Sequence, residues 1–107
     1  MAKQSAPQEP AEIAPKPVEV TGGVLFGDVS ERPELSPRDR NLITVSVRAT
    51  LYRTEQLGHH LGKALENGLS VEELSETITY LSFYAGWPNA TTAMNQLKKI
   101  DDEQAAA

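Results

Sequence analysis

His59 and His60 are the two imidazoles of the chain, and with Glu55, Gln56, Arg48 and Arg53 they are the residues whose types and spacing can do chemistry. On a helix the residue at i−4 shares a face, so Glu55 backs His59 and Gln56 backs His60. A carboxylate beside an imidazole holds it in one tautomer and raises its pKa, which suits proton transfer near neutral pH. The same pair on an open face is an ordinary i, i+4 contact. His60 falls on the apolar stripe of Leu57, Leu61, Ala64 and Leu65. There it is either a core histidine satisfied by a neighbour or an acid/base group: burial lowers its pKa, and an acidic partner raises it. His59, about 100° further round the helix, lies at the edge of that stripe.

Arg48 stands within an otherwise apolar stretch, where a guanidinium needs a carboxylate partner or a water-filled pocket. A structural salt bridge meets that need, and so does capture of a substrate carboxylate. Tyr80, Phe83, Tyr84 and Trp87 recur at helical spacing; such a stripe packs as core or subunit interface, or walls a pocket. Two histidines and a glutamate could ligate a metal, but adjacent histidines diverge on a helix and give no zinc spacing, so no metal is expected. The absence of cysteine removes disulfides, thiolate ligands, cysteine nucleophiles and dithiol redox chemistry.

Elements to position these groups can be read along the chain. Residues 1–23 carry four of the seven prolines among Ala, Gln, Glu and Lys, a composition too poor in apolar residues to offset chain entropy, and are expected to form a flexible tail. Alternatively they order as an arm on a partner subunit. The domain is expected over 24–104. Val24–Val29 reads as an extended segment or single turn, since no second strand is visible to pair with it. Ser36-Pro37 is a helix start, and a helix is expected over about 37–52, although its alternating Ile43, Val45, Val47, Ala49 and Leu51 also fit a strand period. A second helix spans about 54–66 and ends at Asn67-Gly68. A third starts with the capping box Ser70…Glu73, burying Val71, Leu74, Ile78, Leu81 and Ala85. Pro88 interrupts it, and Ala90, Ala93, Met94, Leu97 and Ile100 trace a fourth, with a frayed end after it. The fold class expected is all-α, a small bundle of about four main helices.

With 107 residues, a net charge of −5 and a pI near 4.9, the chain is suited neither to nucleic acid nor to an anionic membrane. It carries no run of signal-peptide or membrane-spanning length, so a cytoplasmic address is expected. A core of this size leaves about a third or more of the unfolded-chain surface exposed, which favours self-association.

LFGDV at 25–29, LSPRDRNLITVS at 35–46, YRTEQLGHHLGKALENGLSVEELSE at 52–76 and FYAGWPNA at 83–90 together resemble the carboxymuconolactone decarboxylase family, which shares its fold with the alkylhydroperoxidase AhpD. The resemblance covers about two thirds of the chain. It implies small helical subunits assembled as trimers or hexamers. The family's redox branch has cysteines seven and four residues before a histidine matching His60; Arg53 and Gln56 stand there, so a thiol peroxidase is excluded. Many decarboxylase-like relatives place a glutamate four residues before that histidine, where this chain has Gln56, with Glu55 one place earlier. Decarboxylase chemistry would release CO₂ from a carboxylated unsaturated lactone without a cofactor, the conjugated carbonyl serving as electron sink. The resemblance gives His60 the role of general acid, with Glu55 to orient or recharge an imidazole and Arg48 or Arg53 to anchor a carboxylate. Gln56, His59, Tyr84 and Trp87 would line the substrate site. The alternatives are a non-catalytic oligomeric binding module of the same fold and an enzyme acting on a different small substrate.

Overall fold

The computed structural model of the chain describes residues 9–106; the start of the expected tail, residues 1–8, lies outside them. The chain divides into two compact units between Pro37 and Arg38.

In the first unit the chain winds through short helical pieces: a 3₁₀ turn at Glu9–Glu12, helix α1 at Pro15–Val20, a wider π-helical segment at Thr21–Phe26, and a second 3₁₀ turn at Val29–Glu31. Proline in the first turn of α1 suits a position whose N–H has no helical acceptor. The stretch Val24–Val29, expected as extended chain or a single turn, is not extended: Val24–Phe26 finish the π-helical segment, Gly27-Asp28 form a turn and Val29 opens the second 3₁₀ turn. Glycine permits this. A Cβ on Gly27 would stand 2.7 Å from the Gly23 carbonyl oxygen and 2.9 Å from that of Gly22. No described residue of this unit is buried, so local hydrogen bonds hold its helical pieces.

The second unit is built from α2 (Pro37–Thr50), α3 (Thr54–Glu66), α4 (Val71–Ala85) and α5 (Trp87–Ala106). Among the described residues there is no strand, and no helix is long and apolar enough to cross a membrane. The fold is a small all-α bundle. In α2 the helical period wins over the alternating one: Asn41, Val45 and Ala49, four apart, are buried, while Ile43, Val47 and Leu51 remain exposed. Helix α3 buries Leu57, Leu61 and Ala64, and α4 buries Leu74, Ile78 and Ser82. Helix α5 packs Ala90, Ala93 and Leu97 against both. Its small alanines let the neighbouring helices approach, and each fully buried leucine contributes about 1.5–3 kcal/mol.

Both corners flanking α3 are closed by the same device. After α3 the Leu69 N–H donates to the Ala64 carbonyl (3.0 Å) and the Gly68 N–H to that of Leu65 (3.2 Å), with Gly68 at φ 102. That is a Schellman turn with glycine in its left-handed position. After α2 the Arg53 N–H donates to the Arg48 carbonyl (2.9 Å) and the Tyr52 N–H to that of Ala49 (3.2 Å). Here Tyr52, at φ 61, takes the left-handed position, where a side chain costs about 1–2 kcal/mol. This turn ends α2 at Thr50, before the expected 52. The capping box forms in both directions, each bond 3.0 Å, and Glu73 also pairs with Arg38, which ties the start of α2 to the start of α4. At the other end α5 does not fray after Ile100 but continues to Ala106, with Lys98 paired to Asp102 one turn on.

Candidate functional site

The second corner places Arg48, in the last turn of α2, within electrostatic reach of His60 in the middle of α3. Both side chains are half-buried. Burial pushes the His60 pKa below the ordinary imidazole value, and the Arg48 guanidinium and then His59 push it the same way. Each of the three disfavours the protonated ring. Among the described residues no carboxylate contributes. Its Nδ1 is enclosed with no hydrogen-bond partner, an uncommon state for a buried polar atom. His59 is exposed and sets its ring edge-on to that of His60, centroids 5.3 Å apart.

Arg48 has no side-chain hydrogen bond or ion pair among the described residues. Of the two ways to accommodate a half-buried guanidinium, the internal salt bridge is the one not found among them. Arg53 joins the corner through its main chain, its N–H on the Arg48 carbonyl, while its side chain is exposed. Glu55 and Gln56 are exposed on the first turn of α3, and neither forms a side-chain hydrogen bond to a histidine among the described residues. Arg48 and His59 thus act electrostatically on His60, while Glu55 and Gln56 stay exposed on the first turn of α3.

Tyr84 and Trp87 stand at the junction of α4 and α5. Tyr84 pairs with Tyr80 (5.3 Å between centroids) and Trp87 with Phe83 (5.9 Å), and all four rings are more than 60 % exposed. Trp87 also borders a half-open groove of about 140 Å³ between these helices, floored by Ile78, Ala90 and Met94. None of Arg48, His59 or His60 lines that groove.

Sequence reasoning missed two residues at the corner. Tyr52 occupies a left-handed position that only a glycine would have signalled. Asn89, in α5, donates from its amide to the Thr50 carbonyl (2.9 Å) and the Ala85 carbonyl (3.2 Å), a link across 39 residues that no local pattern announces.

The arrangement is a permanent cation within electrostatic reach of a half-buried imidazole, and a guanidinium without an ion pair among the described residues can take a carboxylate. An anion placed between them would raise the His60 pKa and so convert the ring to a proton donor. Among the described residues no group of three His, Cys, Asp or Glu side chains could hold a metal ion.

A sequence model described as the carboxymuconolactone decarboxylase family matches residues 15–99 of the chain. Over 75 residues the chain is 36 % identical to a 4-carboxymuconolactone decarboxylase from Acinetobacter baylyi, covering 70 % of this chain and 56 % of that protein. Over 69 residues it is 30 % identical to a nitrosuccinic acid decarboxylase from Metarhizium robertsii, covering 64 % of this chain and 48 % of that protein. The chain thus spans about half the length of the curated relatives it matches.

Proposed function

The chain belongs to the carboxymuconolactone decarboxylase family, and we propose on that premise that it decarboxylates a small carboxylated substrate of the unsaturated-lactone type, without a cofactor, at Arg48 and His60. The observation that carries the proposal is the half-buried Arg48, without a carboxylate partner among the described residues, within electrostatic reach of a His60 whose enclosed Nδ1 has no partner among them either. Arg48 anchors a substrate carboxylate by charge-assisted hydrogen bonds. Cleavage of the bond to the departing carboxylate releases CO₂ and leaves the electron pair delocalised into the lactone carbonyl as a dienolate. The protonated His60 ring delivers its proton to carbon and returns to neutral imidazole, so each turnover consumes one proton. Glu55, exposed on the first turn of α3, would return that proton through solvent. Arg53, Gln56 and His59 would contact the rest of the substrate. Tyr84 and Trp87, exposed at the junction of α4 and α5, would contact the substrate from the same subunit or from a neighbouring one.

Assembly is part of the same proposal. Tyr80, Phe83, Tyr84 and Trp87 on one face, and Ile43, Val47 and Leu51 on another, expose more large apolar surface than a monomer of this size commonly leaves uncovered. A homo-trimer or hexamer would cover it. Light scattering at micromolar concentration is expected to give a multiple of the 11.7 kDa chain, reduced by Phe83→Glu; a stable monomer would contradict the assembly.

The test of activity is CO₂ release from a panel of carboxylated unsaturated lactones and nitro-substituted dicarboxylic acids. Turnover by the wild type, lost in Arg48→Met and His60→Gln, is the expected result. A folded wild type inert on the whole panel, yet binding one of its carboxylic acids at Arg48, would transfer the site to the second reading, a non-catalytic oligomeric module.

A further inference from the structure

Asn89 holds three helix ends at once. Its amide nitrogen donates to the Thr50 carbonyl at the end of α2 and to the Ala85 carbonyl at the end of α4, while its own backbone lies in the first turn of α5. Both acceptors are among the terminal carbonyls that a helix leaves without an internal partner. Two carbonyl partners also fix the amide's orientation, because only the NH₂ side can donate to both.

What that grip secures is the α2–α3 corner. Thr50 is followed at once by Leu51, Tyr52 and Arg53, the turn whose left-handed Tyr52 is strained. A strained backbone persists only where its surroundings over-determine it. The turn's own bonds, Arg53 N–H to Arg48 carbonyl and Tyr52 N–H to Ala49 carbonyl, are local to it. Asn89 provides a bond from outside, reaching the corner from a helix 39 residues away. Since Arg48 lies two residues before Thr50, the position of its guanidinium relative to His60 depends on where this last turn of α2 is held.

We propose that Asn89 is a positioning residue for the anion site: by clamping Thr50 to the start of α5 it keeps the strained Tyr52 corner closed and Arg48 beside His60. The proposal rests on the Arg48–His60 reading given above. It predicts that loss of the amide lets the corner relax and Arg48 drift, while the buried core is unaffected. Because the left-handed strain at Tyr52 is what the clamp opposes, a glycine there should make the clamp dispensable.

The experiment follows the two histidine rings of the full chain by ¹³C/¹⁵N NMR across a pH titration; His59→Gln assigns them. Arg48→Met defines the effect of losing the guanidinium, a rise of the His60 midpoint toward the ordinary imidazole value. Asn89→Ala and Asn89→Asp, which respectively remove the amide and replace its donor by an acceptor, are expected to move His60 the same way, with core melting retained. Tyr52→Gly is expected to restore the wild-type midpoint in the Asn89→Ala background. A His60 midpoint unmoved by both Asn89 variants, or by Arg48→Met itself, would overturn the proposal. So would the failure of both Asn89 variants to fold, which would make the residue a determinant of the fold rather than of the site. The titration needs no substrate, so its result stands apart from the decarboxylase assay. Where a substrate is found, Asn89→Ala should raise KM by several-fold more than it lowers kcat.

Discussion

Replacing Arg48 by Met separates the two ways in which a half-buried guanidinium can be accommodated. Methionine keeps most of the aliphatic volume and removes the charge. If Arg48 were half of a buried salt bridge, its removal would strand a carboxylate and cost about 3–5 kcal/mol. No such carboxylate lies against it among the described residues, so the expected loss of stability is within about 0.5 kcal/mol. Affinity should behave oppositely. A charge-assisted hydrogen bond to a bound carboxylate contributes about 1.5–3 kcal/mol, which at about 1.4 kcal/mol per decade is a loss of roughly tenfold to 150-fold in binding. Calorimetric titration with a non-reacting dicarboxylate such as succinate, alongside thermal unfolding of both proteins, measures the two quantities on the same samples. A variant several kcal/mol less stable that binds the anion as well as the wild type would refute the reasoning.

Three further outcomes follow from the same geometry. His60→Gln should retain its melting temperature to within the effect of about 1 kcal/mol and lose about 100-fold or more in turnover on any substrate the wild type accepts; equal rates would remove His60 from the chemistry. Because the folded His60 has a lowered pKa, the unfolded chain takes up a proton first as the pH falls. The corresponding stability is complete above the ordinary imidazole value and is lost from there down to the lowered folded value; His60→Gln should flatten that part of a melting-temperature profile, and an unchanged profile would contradict the shift. Tyr52→Gly should raise stability by about 1 kcal/mol, or about 4–8 °C, by differential scanning calorimetry; a drop would show that the tyrosine ring holds the corner.

Period and punctuation made the fold legible. The stripe Leu57, Leu61, Ala64, the capping box at Ser70 and Glu73 and the stop at Asn67-Gly68 each have a local cause, and each forms as its cause requires. The end of α2 was not legible, because its Schellman turn puts Tyr52 where glycine is the usual signal. The helical continuation after Ile100 was hidden by a composition that suits fraying. For the site, sequence supplied the candidates but not their grouping. His60 was visible from its place on an apolar stripe, and Arg48 as a charge among apolar neighbours, yet spacing within one helix paired His60 with Gln56 and His59 with Glu55. Burial lowers the His60 pKa most, and the charge that adds to it comes from Arg48 on α2, across a turn. Contacts between helices have no periodic signature along the chain.

The charge inventory of the corner then bears on when the acid exists. In the free protein the field at His60 comes from Arg48 and His59, and both disfavour a proton there. An imidazole whose protonated form is disfavoured is less available as a general acid, so a site built this way gains when the substrate itself changes the balance. A carboxylate bound at Arg48 cancels the nearest cation and adds an anion, and each effect raises the His60 pKa. Under the proposed mechanism the proton donor is therefore assembled by the substrate that needs it. This separates two pH profiles. The limb of kcat/KM reports the free protein and should fall above the lowered His60 pKa, whereas the limb of kcat reports the loaded site and should fall at higher pH. Arg48→Met should draw the two limbs together, by raising the first and, through loss of the anchored carboxylate, lowering the second. Limbs that coincide in the wild type would mean that the anion and His60 do not meet.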